Sequence, residues 1–242
     1  MHTVQVGLGG VGTNDGGAGM LAALGASGTP PGSLERGPSG LAGLESVDVA
    51  AARDRLAPVT LVAATDADGP LLGLIGATNV HGPSRGVPDD RLHAVDASLE
   101  RLAAATDRRT ARAKGAGAAG GLGFGLLLLG AERVPGVEVV SRAVGLLERA
   151  RRADLVVTGE GAFDFSSRSG TVPYGVAAVA AEALQPCIAL AGRVLVGSRE
   201  MRALGVESAY SVVDLVGERA SFADPAGSLA ALAERTARSW SR

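Results

Sequence analysis

Apolar residues fall into short runs separated by glycine-rich breaks, and their spacing predicts the elements. Residues 3–8 alternate as a strand does and lead into a loop over 9–17, after which 18–24 have helical composition. Residues 25–46, rich in Gly, Pro and Ser, predict an irregular excursion. Residues 59–64 form a β-branched and apolar run ending at Thr65-Asp66-Ala67-Asp68-Gly69-Pro70. From 89 to 112, Leu92, Val95, Leu99, Leu102 and Ala103 recur at helical spacing, so one amphipathic helix is expected there. A second glycine-rich loop over 115–125 leads into 126–129.

Beyond about residue 145 the rhythm becomes regular. Apolar runs at 154–158, 186–191 and 208–213 alternate with helix-like segments at 173–184, 198–204 and 226–239. Strand alternating with helix is the pattern of βαβ units and a parallel sheet. Three strands are few, because a doubly wound sheet commonly carries five or more. This half therefore reads as part of a larger sheet, with an unpaired edge expected.

Composition narrows the class. At 46% hydrophobic and 20% charged residues, disorder and fibrous repeats are excluded. A net charge of −2 with only seven aromatics lacks the basic footprint of a nucleic-acid binder. No run approaches the ~20 apolar residues of a membrane span, and no signal-peptide pattern opens the chain. A cytoplasmic protein without nucleic-acid or membrane partners is expected. Cys187 stands alone, so neither an intramolecular disulfide nor a Cys-based zinc site can form. Lys114, the only lysine, precedes Gly115, which rules out a Walker A loop.

Several motifs fail on inspection. Gly7-x-Gly9-x-x-Gly12 and Gly115-x-Gly117-x-x-Gly120 match the dinucleotide fingerprint, but neither sits in the βαβ unit that it requires. Such loops serve tight packing and anion binding equally well. Gly82-x-Ser84-x-Gly86 imitates a nucleophile elbow, yet Pro88 breaks the helix that should follow. Asp66-x-Asp68-Gly69 imitates a calcium loop, yet Ala77 stands at the twelfth position. More informative is that Asp66 and Asp68 follow one apolar run while Glu160 and Asp164 follow another. Polar residues at the carboxyl ends of strands are the natural site candidates in open α/β sheets. Carboxylates beside glycine loops suit phosphoryl transfer, since they can hold Mg²⁺ or accept a hydroxyl proton. Single acids of this kind also serve as turn formers and helix caps.

Five segments carry a family resemblance. Gly7-Leu-Gly-Gly-Val-Gly-Thr-Asn-Asp-Gly-Gly-Ala-Gly-Met20 is similar to the "GGSATNDGGAGM" segment of the bacterial glycerate kinases of type I. The stretch from Thr65 to Gly73 resembles "DVDNPLLG", Gly76 to Gly86 resembles "GA…FGPQKG", and Gly115 to Gly123 resembles "GAGAAGGLG". Val157 to Asp164, with Gly170, Pro173, Gly175 and Ala177, resembles "TGEG..D…GK.P.GVA". The resemblance runs in order over essentially the whole chain.

It implies phosphorylation of D-glycerate by ATP with Mg²⁺. It also implies a flavodoxin-like α/β domain, of which 146–242 would be the C-terminal part, and an inserted mixed α/β domain over 1–145, with the active site in the cleft between them. The family's N-terminal segment, with its "DSFKG" loop, has no counterpart in this sequence. The catalytic candidates are Asp15, Glu160 and Asp164. Candidates around substrate or phosphate are Gly9, Gly10, Thr13, Asn14, Arg85, Gly117 and Gly120, and candidate metal ligands are Asp66 and Asp68. Departures are Val11 for Ser, Gly69 for Asn, Arg85 for Lys, Ser166 for Gln and Thr171 for Lys. The lost cation at Thr171 keeps open a rival reading as a non-catalytic protein that binds a metabolite or nucleotide.

Overall fold

A computed structural model describes residues 2–164 and 171–241. Ser166 and Gly170, both part of the last motif, lie outside the described residues. The chain is mixed α/β and divides into two compact units, Met1–Gly136 and Val137–Arg242.

The first unit is built on a parallel sheet in the order β1-β4-β5. It comprises β1 (Thr3–Gly7), β4 (Thr60–Ala64) and β5 (Glu132–Val134). β4 lies in the middle and buries Leu61, Val62 and Ala63 in succession, as a parallel strand covered on both faces requires. Between β1 and β4 come α1 (Ala18–Ala23), β2 (Ser27–Thr29), α2 (Gly37–Leu41), β3 (Ser46–Asp48) and α3 (Ala50–Leu56). The stretch expected to be irregular thus holds a strand, β2, and a helix, and β2 pairs antiparallel with β3. Strands of three residues carry too little alternation to announce themselves.

After β4 come α4 (Ala77–His81), α5 (Leu92–Ala105), α6 (Arg108–Ala111) and α7 (Ala118–Leu128). The single helix expected over 89–112 is therefore broken. The Asp107 carboxylate accepts from Arg109 N at 2.8 Å and from Thr110 Oγ1 at 2.6 Å, which starts α6 afresh. The predicted loop over 115–125 holds in its first part, since Ala119, Gly120 and Gly121 within α7 have left-handed, non-helical backbone, and is helical only beyond them. Phe124 on α7 packs with Leu21, Leu71, Leu99 and Leu102 in the core of this unit.

The second unit opens with α8 (Gly136–Ala143) and α9 (Leu146–Ala150). A three-stranded parallel sheet follows in the order β6-β7-β8, formed by β6 (Val156–Phe163), β7 (Cys187–Val194) and β8 (Ser208–Ser211). α10 (Val172–Glu182) and α11 (Ser198–Ala203) are the crossovers. α12 (Val212–Val216), α13 (Glu218–Ala223) and α14 (Pro225–Trp240) end the chain. β6 extends five residues past the predicted run, so Glu160 lies within the strand, opposite Ala191, and not after it. Glycine permits this close pairing, since a Cβ on Gly159 would sit 2.3 Å from the Leu190 carbonyl oxygen. The core here is small-residue rich: Ala177, Ala180, Cys187, Ala189 and Ala191 surround Phe163 and Val206.

Candidate functional site

In the first unit the candidate residues gather where β1 and β4 end. Leu8 N donates to the Ala64 carbonyl at 2.9 Å, so the loops leaving both strands start side by side. Gly9, Gly10 and Gly12 each face open space in the direction a Cβ would take, and Gly9, Gly10 and Thr13 are exposed. Asn14, only 5% exposed, donates from Nδ2 to Thr78 Oγ1 at 2.9 Å, while its buried Oδ1 has no partner among the described residues. Asp15 accepts from Gly17 N and Gly19 N, each at 3.0 Å. Both its oxygens thereby fasten the first turn of α1 and fix the carboxylate's direction.

Arg85 ends a short 3₁₀ turn over Pro83–Arg85. Its Nε donates to the Val11 carbonyl at 3.0 Å, and its Nη1 is buried with no partner among the described residues. Burial pulls its pKa below the ordinary arginine value. A guanidinium tethered at one nitrogen with unsatisfied donors has the chemistry to receive an anion.

Gly117 and Gly120 have a packing role on this geometry. A Cβ on Gly117 would stand 2.2 Å from the Pro70 carbonyl oxygen, and one on Gly120 would stand 1.9 Å from that of Thr13. Gly117 N donates to Gly69 O at 3.0 Å, and Gly16 N to Gly120 O at 3.0 Å. These two glycines lock the loops after β1 and β4 onto the start of α7.

Asp66 accepts from Gly136 N through Oδ1 at 2.8 Å. Asp68 is ion-paired with Lys114 through Oδ2 and with Arg133 through Oδ1. Two cations already satisfy Asp68, so its oxygens suit loop closure better than an ion. Among the described residues there is no group of three or more His, Cys, Asp or Glu side chains placed to hold a metal. Mg²⁺ in phosphoryl-transfer sites usually takes only one or two carboxylates and otherwise substrate phosphates and water. Asp66 fits that mode; Asp68 as paired here does not.

In the second unit Glu160 is half-buried on β6 and lines a cleft of about 790 Å³, while Asp164 follows the strand's last residue. Thr171 directly precedes α10. Sequence reasoning passed over Thr78, Lys114 and Arg133, which hold Asn14 and Asp68 in place. Thr78 lies inside a quoted motif; the two cations carry no motif of their own.

The sequence profile of the glycerate kinase family matches residues 1–241. The chain belongs to the glycerate kinase family. It is 39% identical over 215 residues to a glycerate kinase of Bacillus subtilis (strain 168), covering 86% of this chain and 56% of that protein. It is 36% identical over 221 residues to a glycerate 2-kinase of Escherichia coli (strain K12), covering 88% of this chain and 58% of the relative. A crystal structure of a Salmonella typhimurium LT2 protein assigned as glycerate kinase 2 superposes with a TM-score of 0.67 at 35% identity, covering 87% of this chain and 56% of that one. The chain thus spans little more than half the length of these glycerate kinases. Among the described residues no helix is long and apolar enough to cross a membrane.

Proposed function

We propose that the chain carries the activity for which its relatives are named, the transfer of the γ-phosphoryl group of ATP to a hydroxyl of D-glycerate. The observation that supports this best is Arg85, tethered to Val11 and with a buried, unpartnered Nη1 beside an open glycine loop. A three-carbon hydroxy acid offers one carboxylate, and a guanidinium suits it in directed geometry. The buried Oδ1 of Asn14 is an acceptor for a substrate hydroxyl, while Gly9, Gly10 and Thr13 let backbone and hydroxyl groups approach an anion. Asp15 holds that loop in shape and presents a carboxylate of fixed direction. Gly117 and Gly120 keep the loops closed.

Asp15, Glu160 and Asp164 are the candidate catalytic carboxylates, one of which would accept the hydroxyl proton. The oxygen bonds to the γ-phosphorus as the bond to the β–γ bridging oxygen breaks, and ADP leaves. Mg²⁺ carried with ATP would supply charge neutralisation on the phosphates, and Asp66 would be a candidate to hold it. We read the second unit as the C-terminal part of a flavodoxin-like domain and the first as the inserted mixed α/β domain. An ATP-dependent kinase of small acids works where ATP is held, in the cytoplasm.

Coupled ADP release with D-glycerate tests the reading. Glycerate-dependent turnover is expected, and Arg85→Ala should raise the KM for glycerate roughly 10- to 100-fold, the range of a hydrogen bond to a charged group. Its ATP KM should change little. Thr171, uncharged where the resemblance places a lysine, favours a second reading as a binding protein. Glycerate binding by calorimetry without turnover would establish that one instead.

A further inference from the structure

The cleft on the second unit has a character that the substrate acid does not explain. It opens at the carboxyl-end halves of β6 and β7 and at the junction of β8 with α12, where parallel sheets place their ligands. Its volume of about 790 Å³ falls within the ~300–1,000 Å³ of small-molecule sites. Its walls are Leu190, Val212, Val213, Phe222 and Leu229. Phe222 is 73% exposed and Leu229 45%, so the cleft leaves large apolar side chains in water. Its polar side chains are few: Glu160 on β6, Arg193 on β7 and Ser221 on α13. The Arg193 guanidinium is ion-paired with Glu218, and the Ser221 hydroxyl donates to the Glu218 carbonyl at 2.7 Å.

Glycerate has three carbons, each bearing oxygen, and gains nothing from aliphatic and aromatic walls. A nucleobase is the opposite: two flat apolar faces, a polar edge, and a phosphate chain leaving from one side. We propose that this cleft receives the purine and ribose of the nucleoside triphosphate, with Phe222 against the ring face and the Arg193 end directed at the phosphate chain. This rests on the kinase reading for the choice of nucleotide, but concerns a different place from the Arg85 cluster. Gly161, whose Cβ direction is free of atoms within 4 Å, and Gly192, whose Cβ would lie 2.5 Å from the Gly161 carbonyl oxygen, keep the β6–β7 side of the cleft low enough for a flat ring.

Photolabelling of the full chain with 8-azido-ATP, followed by peptide mapping, tests the placement. Label is expected in peptides containing residues 187–193 or 212–229, chased by ATP and not by D-glycerate. Phe222→Ala, at an exposed position that folding should tolerate, is expected to weaken ATP binding about 10-fold, within the range of base–aromatic stacking. D-glycerate affinity should move less than 2-fold. Saturable label in the cleft without glycerate turnover would sink the kinase reading and leave this inference standing. Turnover with label mapped elsewhere, or with Phe222→Ala binding ATP normally, would overturn this inference alone. Absence of label, including the case where light scattering shows a second copy covering the cleft, also overturns it.

Discussion

Replacing Gly120 and Gly10 separately by alanine isolates what the glycine loops are for. Both residues have left-handed backbone, φ +69° at Gly120 and φ +64° at Gly10. An alanine in that region costs roughly 1–2 kcal/mol, offset by about 0.4–1 kcal/mol from a less flexible unfolded chain. For Gly10→Ala nothing else changes, since no atom lies within 4 Å of the new Cβ. For Gly120→Ala the Cβ lands 1.9 Å from the Thr13 carbonyl oxygen, 2.8 Å from its carbon and 3.0 Å from Asn14 Cα. These are backbone atoms, and Asn14 is tied to Thr78, so the loop must move by more than 1 Å or the helix start must rebuild. Overpacking of this kind adds about 1–3 kcal/mol. The expected losses are about 1 kcal/mol for Gly10→Ala and about 3–4 kcal/mol for Gly120→Ala. At roughly 2–4 °C per kcal/mol for a chain of this size, calorimetry should show Tm falling by about 3 °C and about 10 °C respectively. Equal shifts, or a Gly120→Ala protein melting within 3 °C of the parent, would refute the packing argument.

Two further outcomes are expected. Leu184 follows α10 in the left-handed region at φ +59°, where Leu184 N bonds Ala181 O and Gln185 N bonds Ala180 O, and its side chain is 89% exposed. Glycine is the residue this helix end favours, so Leu184→Gly should stabilise by about 1 kcal/mol in urea titrations; a loss of stability would contradict it. Burial pushes the Cys187 thiol up to about 11, from an ordinary value near 9. The folded state therefore keeps the proton that the unfolded chain releases, so stability falls as pH rises from about 9 to about 11. Cys187→Ser should flatten that part of the pH–Tm curve, and an unchanged slope would count against it.

How much could be read from the sequence depended on the kind of signal. Leu61-Val62-Ala63 and Cys187-Ile188-Ala189 announced buried parallel strands, because apolar runs bounded by turns have few other uses. Ser27–Thr29 and Ser46–Asp48 did not, since their strand character comes from mutual pairing and not from composition. The break at Asp107 was hidden because the apolar spacing continues across it; only the carboxylate's bonds reveal a new helix start. Among site residues the sequence singled out Gly117 and Gly120, but could not tell a phosphate's approach from a carbonyl's. The bonds that give Arg85 and Asn14 their character run to Val11 and Thr78, which lie inside quoted motifs but far away in sequence, so the motifs name the residues without showing which of them pair.

The strand order of the first unit also governs how it is made. β1 leaves the ribosome well before its partner, since Thr3 pairs with Thr60 and has no ladder until β4 has been synthesised. At ~5–20 residues per second, β1 waits roughly 3–11 s as a nascent strand without a template. β4 in turn stands with one edge open until residues 132–134 arrive. The second unit closes sooner, since Val156 meets Cys187 only about thirty residues later. Of these two parallel pairings, β1 with β4 is therefore the one that a ribosome-bound chaperone has longer to shield.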